Sequence, residues 1–145
     1  EGFPKERLAL HICRGNWSKD ESVALAGDYR PLMPLLEKVP VGILFLELCT
    51  PRAGEMEVLA NLPESYRLGL GMVNPKSSLV ESVEEIVQKA TKAANLFGPR
   101  RILLNPDCGF ATFADSPLAP SEIAEAKMYS LVQAARILRQ NFKLI

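Results

Sequence analysis

Residues 7–13, 42–49, 66–73 and 101–107 form four short apolar segments. Each runs into a polar turn rich in Gly, Pro or Asn and then into a stretch of helical character. The segments are more uniformly apolar than half-exposed antiparallel strands would be, as parallel strands covered on both faces require. Residues 18–38 read as helix in parts, broken or restarted at Pro31 and Pro34, and residues 54–62 as a shorter helix. Over residues 81–97, Val83, Ile86, Val87, Ala90, Ala94 and Phe97 keep helical spacing, and Gly98-Pro99 ends the run. Pro120-Ser121-Glu122 opens a last helix whose Ile123, Ala126, Leu131, Ala134, Ala135 and Leu138 recur on one face. A βαβα order predicts a parallel sheet with right-handed crossovers. At 145 residues the chain reads as a single domain, residues 1–145. It is either a small doubly wound sheet or half of a (β/α)8 barrel, which takes roughly 250 residues when complete.

Charge narrows the partners. Lys+Arg and Asp+Glu number 17 each, so no overall electrostatic attraction to nucleic acid or to an anionic membrane is expected. The longest apolar run, residues 39–48, contains Pro40, Gly42 and Glu47 and falls well short of the roughly 18 residues that span a bilayer. The opening Glu1-Gly2-Phe3-Pro4-Lys5 is charged and lacks the apolar stretch of a secretory leader. Three cysteines do not make a disulfide framework, and two of them lie near other metal-binding residue types, so a reducing cytoplasm is the expected setting.

Those residue types carry the chemistry. His11 and Cys13 are two apart at the end of the first strand and therefore face the same way, with Ala9, while Leu8, Leu10 and Ile12 face the other. An imidazole beside a thiolate suits zinc; a buried histidine and an inert core cysteine are the plainer reading. Cys108 follows the fourth strand within Asn105-Pro106-Asp107-Cys108-Gly109-Phe110, at a strand-to-loop junction where site residues concentrate. Glu47 interrupts an otherwise apolar strand, which is costly unless the carboxylate binds a metal or pairs with Arg52 or Arg14. Cys49 shares the parity of Glu47 but has no such loop context and reads as core. All four candidates, His11, Cys13, Glu47 and Cys108, fall at the carboxyl ends of predicted strands, the edge where parallel α/β folds build their sites.

Three blocks resemble the C-terminal catalytic domain of cobalamin-independent methionine synthase and its relatives. They are His11-Ile12-Cys13-Arg14-Gly15-Asn16, Glu47 with Thr50-Pro51-Arg52-Ala53-Gly54, and Asn105-Pro106-Asp107-Cys108-Gly109-Phe110. Residues 71–86 fit the same domain. The resemblance implies an α/β fold of the (β/α)8 TIM-barrel type, of which this chain covers about the C-terminal half, four βα units. It implies zinc (Zn2+) bound by His11, Cys13, Glu47 and Cys108, and an enzyme that activates a small thiol such as homocysteine for methylation. Methyltetrahydrofolate is the methyl donor it suggests, and the missing half-barrel or a second copy is the expected protein partner. In methionine synthases proper the segment matching residues 71–77 carries a histidine assigned to proton transfer; an ungapped match puts Lys76 there. A lysine is not a neutral shuttle unless its pKa is depressed. Asp107 would orient a ligand or satisfy its own loop, and Arg14 and Arg52 would hold a carboxylate or make structural ion pairs. The rival readings are a structural zinc site in a non-catalytic α/β module and an inactive fragment.

Overall fold

The computed structural model describes residues 2–144; Glu1, in the charged opening segment, and Ile145, which ends the 1–145 span, lie outside the described residues. Four parallel strands, β1 (Ala9–Ile12), β2 (Ile43–Leu46), β3 (Arg67–Val73) and β4 (Ile102–Pro106), form one sheet in the order β1-β2-β3-β4. Sequential order decides between the two architectures. A doubly wound sheet must reverse its order at a switch point, whereas same-handed crossovers that always step to the next strand keep the helices on one face and curl the sheet toward a barrel. The fold is a partial (β/α) barrel wall.

Three strands sit within two residues of their expected limits and β2 ends three residues short, at Leu46; Leu44, Leu46, Leu68, Leu70 and Met72 are buried in the core between sheet and helices. The opposite face is open. On β1, Ala9 and His11 are exposed while Leu10 and Ile12 pack against the core, as strand alternation requires. Coverage of both faces, expected from the apolar composition, is therefore seen on one face only among the described residues: Ile43, Phe45 and Leu103 stand half-buried on what would be the barrel interior.

The helices divide. Helix α2 (Val83–Phe97) carries a capping box, in which Ser82 Oγ accepts from the Glu85 N–H at 3.2 Å and Glu85 Oε2 accepts from the Ser82 N–H at 2.8 Å. It packs beside α3 (Ser121–Asn141). Lys127 of α3 is fully buried; it pairs with Glu81 Oε2 at 2.8 Å and donates to the Leu79 carbonyl, fastening the β3–α2 loop to α3. The first two crossovers are less helical than their sequences suggest. Residues 18–38 form 3-10 turns at Glu21–Val23 and Arg30–Leu32 and a single α-turn, α1 (Met33–Leu36), because Pro31 and Pro34 permit only helix starts. Residues 54–62 form a 3-10 segment, Met56–Asn61, after another at Pro51–Ala53. A short hairpin, β5 (Ala111–Phe113) with β6 (Ser116–Pro117), follows β4 and has no counterpart in the predicted elements. No helix of the described residues is long and apolar enough to cross a membrane.

Candidate metal centre

His11 ends a β1 face, Cys13 lies just past β1, Glu47 just past β2, and Cys108 just past β4. In a flat sheet β1 and β4 would stand roughly 14 Å apart, three strand spacings. Here Cys108 Sγ lies 3.3 Å from Cys13 Sγ and 3.4 Å from His11 Nε2, so curvature and the loops beyond the strands bring the two edges together. One donor atom each from His11, Cys13 and Cys108 lies within 4.8 Å of the other two. Glu47 adjoins them through Cys108, its Oε1 3.1 Å from that sulfur. His11 Nδ1 faces the Phe45 carbonyl at 3.1 Å. A donated proton there fixes the tautomer that leaves Nε2 with a free lone pair facing the sulfurs.

Each donor is held by its loop. Cys13 Sγ accepts the Gly15 N–H at 3.2 Å; Gly15 has φ 126°, a conformation that side chains rarely adopt and that turns the chain back over the thiol. Glu47 is 2% exposed, and its Oε1 accepts the Arg14 N–H at 3.0 Å. The Arg14 side chain is committed elsewhere: its guanidinium donates to Tyr29 Oη and to the carbonyls of Glu47 and Ala53, and it stacks 4.2 Å from the Tyr29 ring centre. Arg14 thus braces the site, and its guanidinium meets no carboxylate among the described residues. Asp107 is buried, and its Oδ1 accepts the Leu48 and Cys49 N–H groups at 2.8 and 3.0 Å, tying the segment after Glu47 to the β4 loop. Burial raises the Asp107 carboxyl despite those bonds. Burial, together with Glu47 and Cys13, pushes the Cys108 thiol up as well. Cys49, the third cysteine, is a largely buried free thiol raised by burial and by Asp107, in keeping with its core reading.

Arg52 and Lys76 meet a residue that sequence reasoning missed. Glu21 Oε2 accepts from Arg52 Nη2 at 2.9 Å and pairs with Lys76 Nζ at 3.5 Å, while Glu21 Oε1 accepts from Asn74 Nδ2 at 3.1 Å. Burial works against the Glu21 charge, but the Asn74 amide and the two cations hold its carboxyl below the usual range. Only the meeting of three loops in space reveals Glu21; nothing in its local sequence does. Lys76 borders a void of about 10 Å³, the size of one water, shared with Glu47, Arg52 and Cys108. A wider groove of about 330 Å³ opens on the other side, between His11, Phe45, Asn105, Cys108 and Phe110.

Two features suit this cluster to a metal ion. The donors that meet are an imidazole and two thiols, and the Glu47 carboxylate adjoining them through Cys108 is buried, its Oε2 without a hydrogen-bond partner among the described residues. The sequence profile described as the catalytic domain of cobalamin-independent synthase matches residues 8–136. The chain belongs to that family. Methionine synthase of Pyrococcus abyssi is 30% identical over 139 residues, covering 96% of this chain and 36% of the relative. That of Saccharolobus solfataricus is 26% identical over 137 residues, 94% of this chain and again 36% of the relative. This member of the cobalamin-independent synthase family thus spans about a third of the length of the curated relatives it matches. The fold recurs, with a TM-score of 0.77 and 20% identity, in a B12-independent methionine synthase from a Shewanella species solved in complex with selenomethionine; the match covers 94% of this chain and 40% of that one.

Proposed function

We propose that His11, Cys13, Cys108 and Glu47 bind zinc and that the protein of which they are part methylates a small thiol, homocysteine foremost, in cobalamin-independent methionine synthesis. The meeting of donors from the two edge strands carries the reading. Cys108 Sγ lies 3.3 Å from Cys13 Sγ and 3.4 Å from His11 Nε2, close to the edges of a tetrahedron of zinc ligands, roughly 3.3–3.8 Å, and 3.1 Å from the adjoining Glu47 Oε1. When bound, zinc supplies a Lewis acid that keeps a coordinated thiol deprotonated near neutral pH yet nucleophilic.

The chain's own residues do the rest. Two thiolates and a carboxylate make the centre anionic, which leaves electron density on the substrate sulfur. His11 and Cys13 are exposed, so an incoming thiol reaches the centre from the open groove. Glu47 is the hardest donor and would be the one to give up its place to an entering thiolate. Lys76, where the family's histidine is expected, holds the proton delivered to the departing methyl donor, with methyltetrahydrofolate as the donor proposed. Similarity to methionine synthases over nearly the whole chain supports the thiol acceptor.

Zinc K-edge absorption of the full-length protein, with and without homocysteine, tests this. One additional Zn–S contact on adding the thiol is the expected result; an unchanged shell in folded protein rules out thiol activation. A Cys108→Ser variant that still binds zinc stoichiometrically and tightly rules out the ligand set.

A further inference from the structure

Glu47 stands between two claims on its charge. Its Oε1 is engaged by the Arg14 N–H at 3.0 Å and by Cys108 at 3.1 Å, while Oε2 is buried and unpartnered. The nearest cation, Arg52 Nη2, is 3.6 Å from Oε2, inside ion-pair range but too far for a hydrogen bond. A buried carboxylate beside an available guanidinium normally closes into a charge-assisted pair at about 2.8 Å. Something holds the guanidinium back.

The restraint is Glu21. Arg52 Nη2 lies 2.9 Å from Glu21 Oε2, and Nη1 donates to the Leu25 carbonyl at 2.7 Å, so both terminal nitrogens are engaged by partners other than Glu47. Glu21 is itself anchored. Asn74 Nδ2 and Lys76 Nζ hold its two oxygens, and its 3-10 turn is capped by Asp20 Oδ1 accepting the Ser22 N–H at 2.8 Å. Asn74 is fixed in turn, its N–H donating to Glu81 Oε1 at 2.8 Å, and Glu81 is pinned by the buried Lys127. The Glu21 side chain is 36% exposed, so its contribution is charge and position rather than packing.

We propose that Glu21 is a positioning residue that holds Arg52 off Glu47 and so keeps the Glu47 carboxylate available as a metal ligand. This rests on the reading of Glu47 as a zinc ligand. Without the Glu21 charge, Arg52 Nη2 has under an ångström to travel to bond Glu47 Oε2, and the resulting ion pair competes with the metal for the same carboxylate.

Zinc affinity, measured on the full-length protein by competition with a chromophoric chelator, tests this in a mutant cycle. Glu21→Gln is expected to weaken zinc binding by about tenfold or more, the usual effect of losing an outer partner of a ligand. In an Arg52→Gln background the same change is expected to cost little, because the competitor is gone. Cobalt(II) in place of zinc adds a spectroscopic signature: Glu21→Gln shifts the visible d–d bands in the same direction as Glu47→Gln, and Glu21→Gln/Arg52→Gln restores them. An equal loss of affinity in both backgrounds, or no loss in Glu21→Gln, overturns the proposal. Failure of the underlying reading looks different: there, Glu47→Gln binds zinc as tightly as the unsubstituted protein.

Discussion

Glycine at position 71 lets Asp107 reach across β3 to the end of β2. A Cβ built on Gly71 would overlap the Asp107 carboxylate, which accepts the Leu48 and Cys49 N–H groups just beyond Glu47. Gly71→Ala is therefore expected to destabilise the protein by about 1–3 kcal/mol, the range for overfilling a packed site. It is also expected to lower zinc affinity by displacing the Glu47 segment. Chemical denaturation and a zinc titration check both, and a variant with unchanged stability would show that Asp107 has another way to sit. The same contrast explains what was legible at this scale. His11 and Cys13 stood out by facing the same way at a strand end, Cys108 by its strand-to-loop junction, and Glu47 because a carboxylate in an apolar strand is costly unless used. Asp107 could be assigned only to its own loop or to a ligand, since its partners belong to a different strand. Glu21 gave no signal at all: a polar residue in a polar loop becomes meaningful only when folding places Arg52, Asn74 and Lys76 around it. Lys76 itself was noticed by alignment with the family's histidine, and its pairing with Glu21 is a fact of the fold.

Among the elements, legibility followed the strength of local rules. The period of Val83, Ile86, Ala90, Ala94 and Phe97 marked α2 to within two residues, since a strong apolar stripe and a capping box agree. The first crossover failed the same test: Pro31 and Pro34 broke a weak pattern, and the chain settled into 3-10 turns stabilised by tertiary contacts instead of helix periodicity. That irregular segment is also the one that supplies Glu21 and Tyr29 to the centre. The capping box of α2 makes a pH-dependent prediction. Its hydrogen bonds from the Ser82 N–H and hydroxyl hold the Glu85 carboxyl below the usual range. A carboxyl lowered on folding contributes stability above its unfolded pKa, and that contribution is lost as pH falls through the lowered folded value. Glu85→Gln is accordingly expected to melt at a lower temperature than the unsubstituted protein at neutral pH, with the gap closing under acid conditions. Thermal melts monitored by circular dichroism across that range check it; a gap independent of pH would mean that the amide loses something other than charge.

For the molecule as a whole, the decisive fact is an unbroken strand order with a free edge at each end. β1 and β4 each have one ladder partner among the described residues, and Phe45, Ile43 and Leu103 lie half-buried on the concave face. On the outside, a groove of about 340 Å³ runs beside β4 between α2 and α3, lined by Leu104, Met128, Leu131, Val132 and Phe142. The alternation of strand and helix announced a parallel sheet, but the number of strands could not separate a barrel wall from a self-sufficient doubly wound sheet; only the order does. A barrel wall leaves apolar surface that four more strands would cover, in agreement with a chain that spans 36% of the relatives it matches. The 145-residue chain alone is thus expected to self-associate, because edge strands and an apolar face pair with whatever is at hand. Sedimentation velocity over a concentration series should show species larger than a monomer. Leu103→Lys on the concave face should shift them toward monomer while leaving the far-ultraviolet dichroism intact, since that face lies opposite the core formed with α2 and α3. A strictly monomeric, cooperatively melting chain would show instead that the curled sheet shields its own edges.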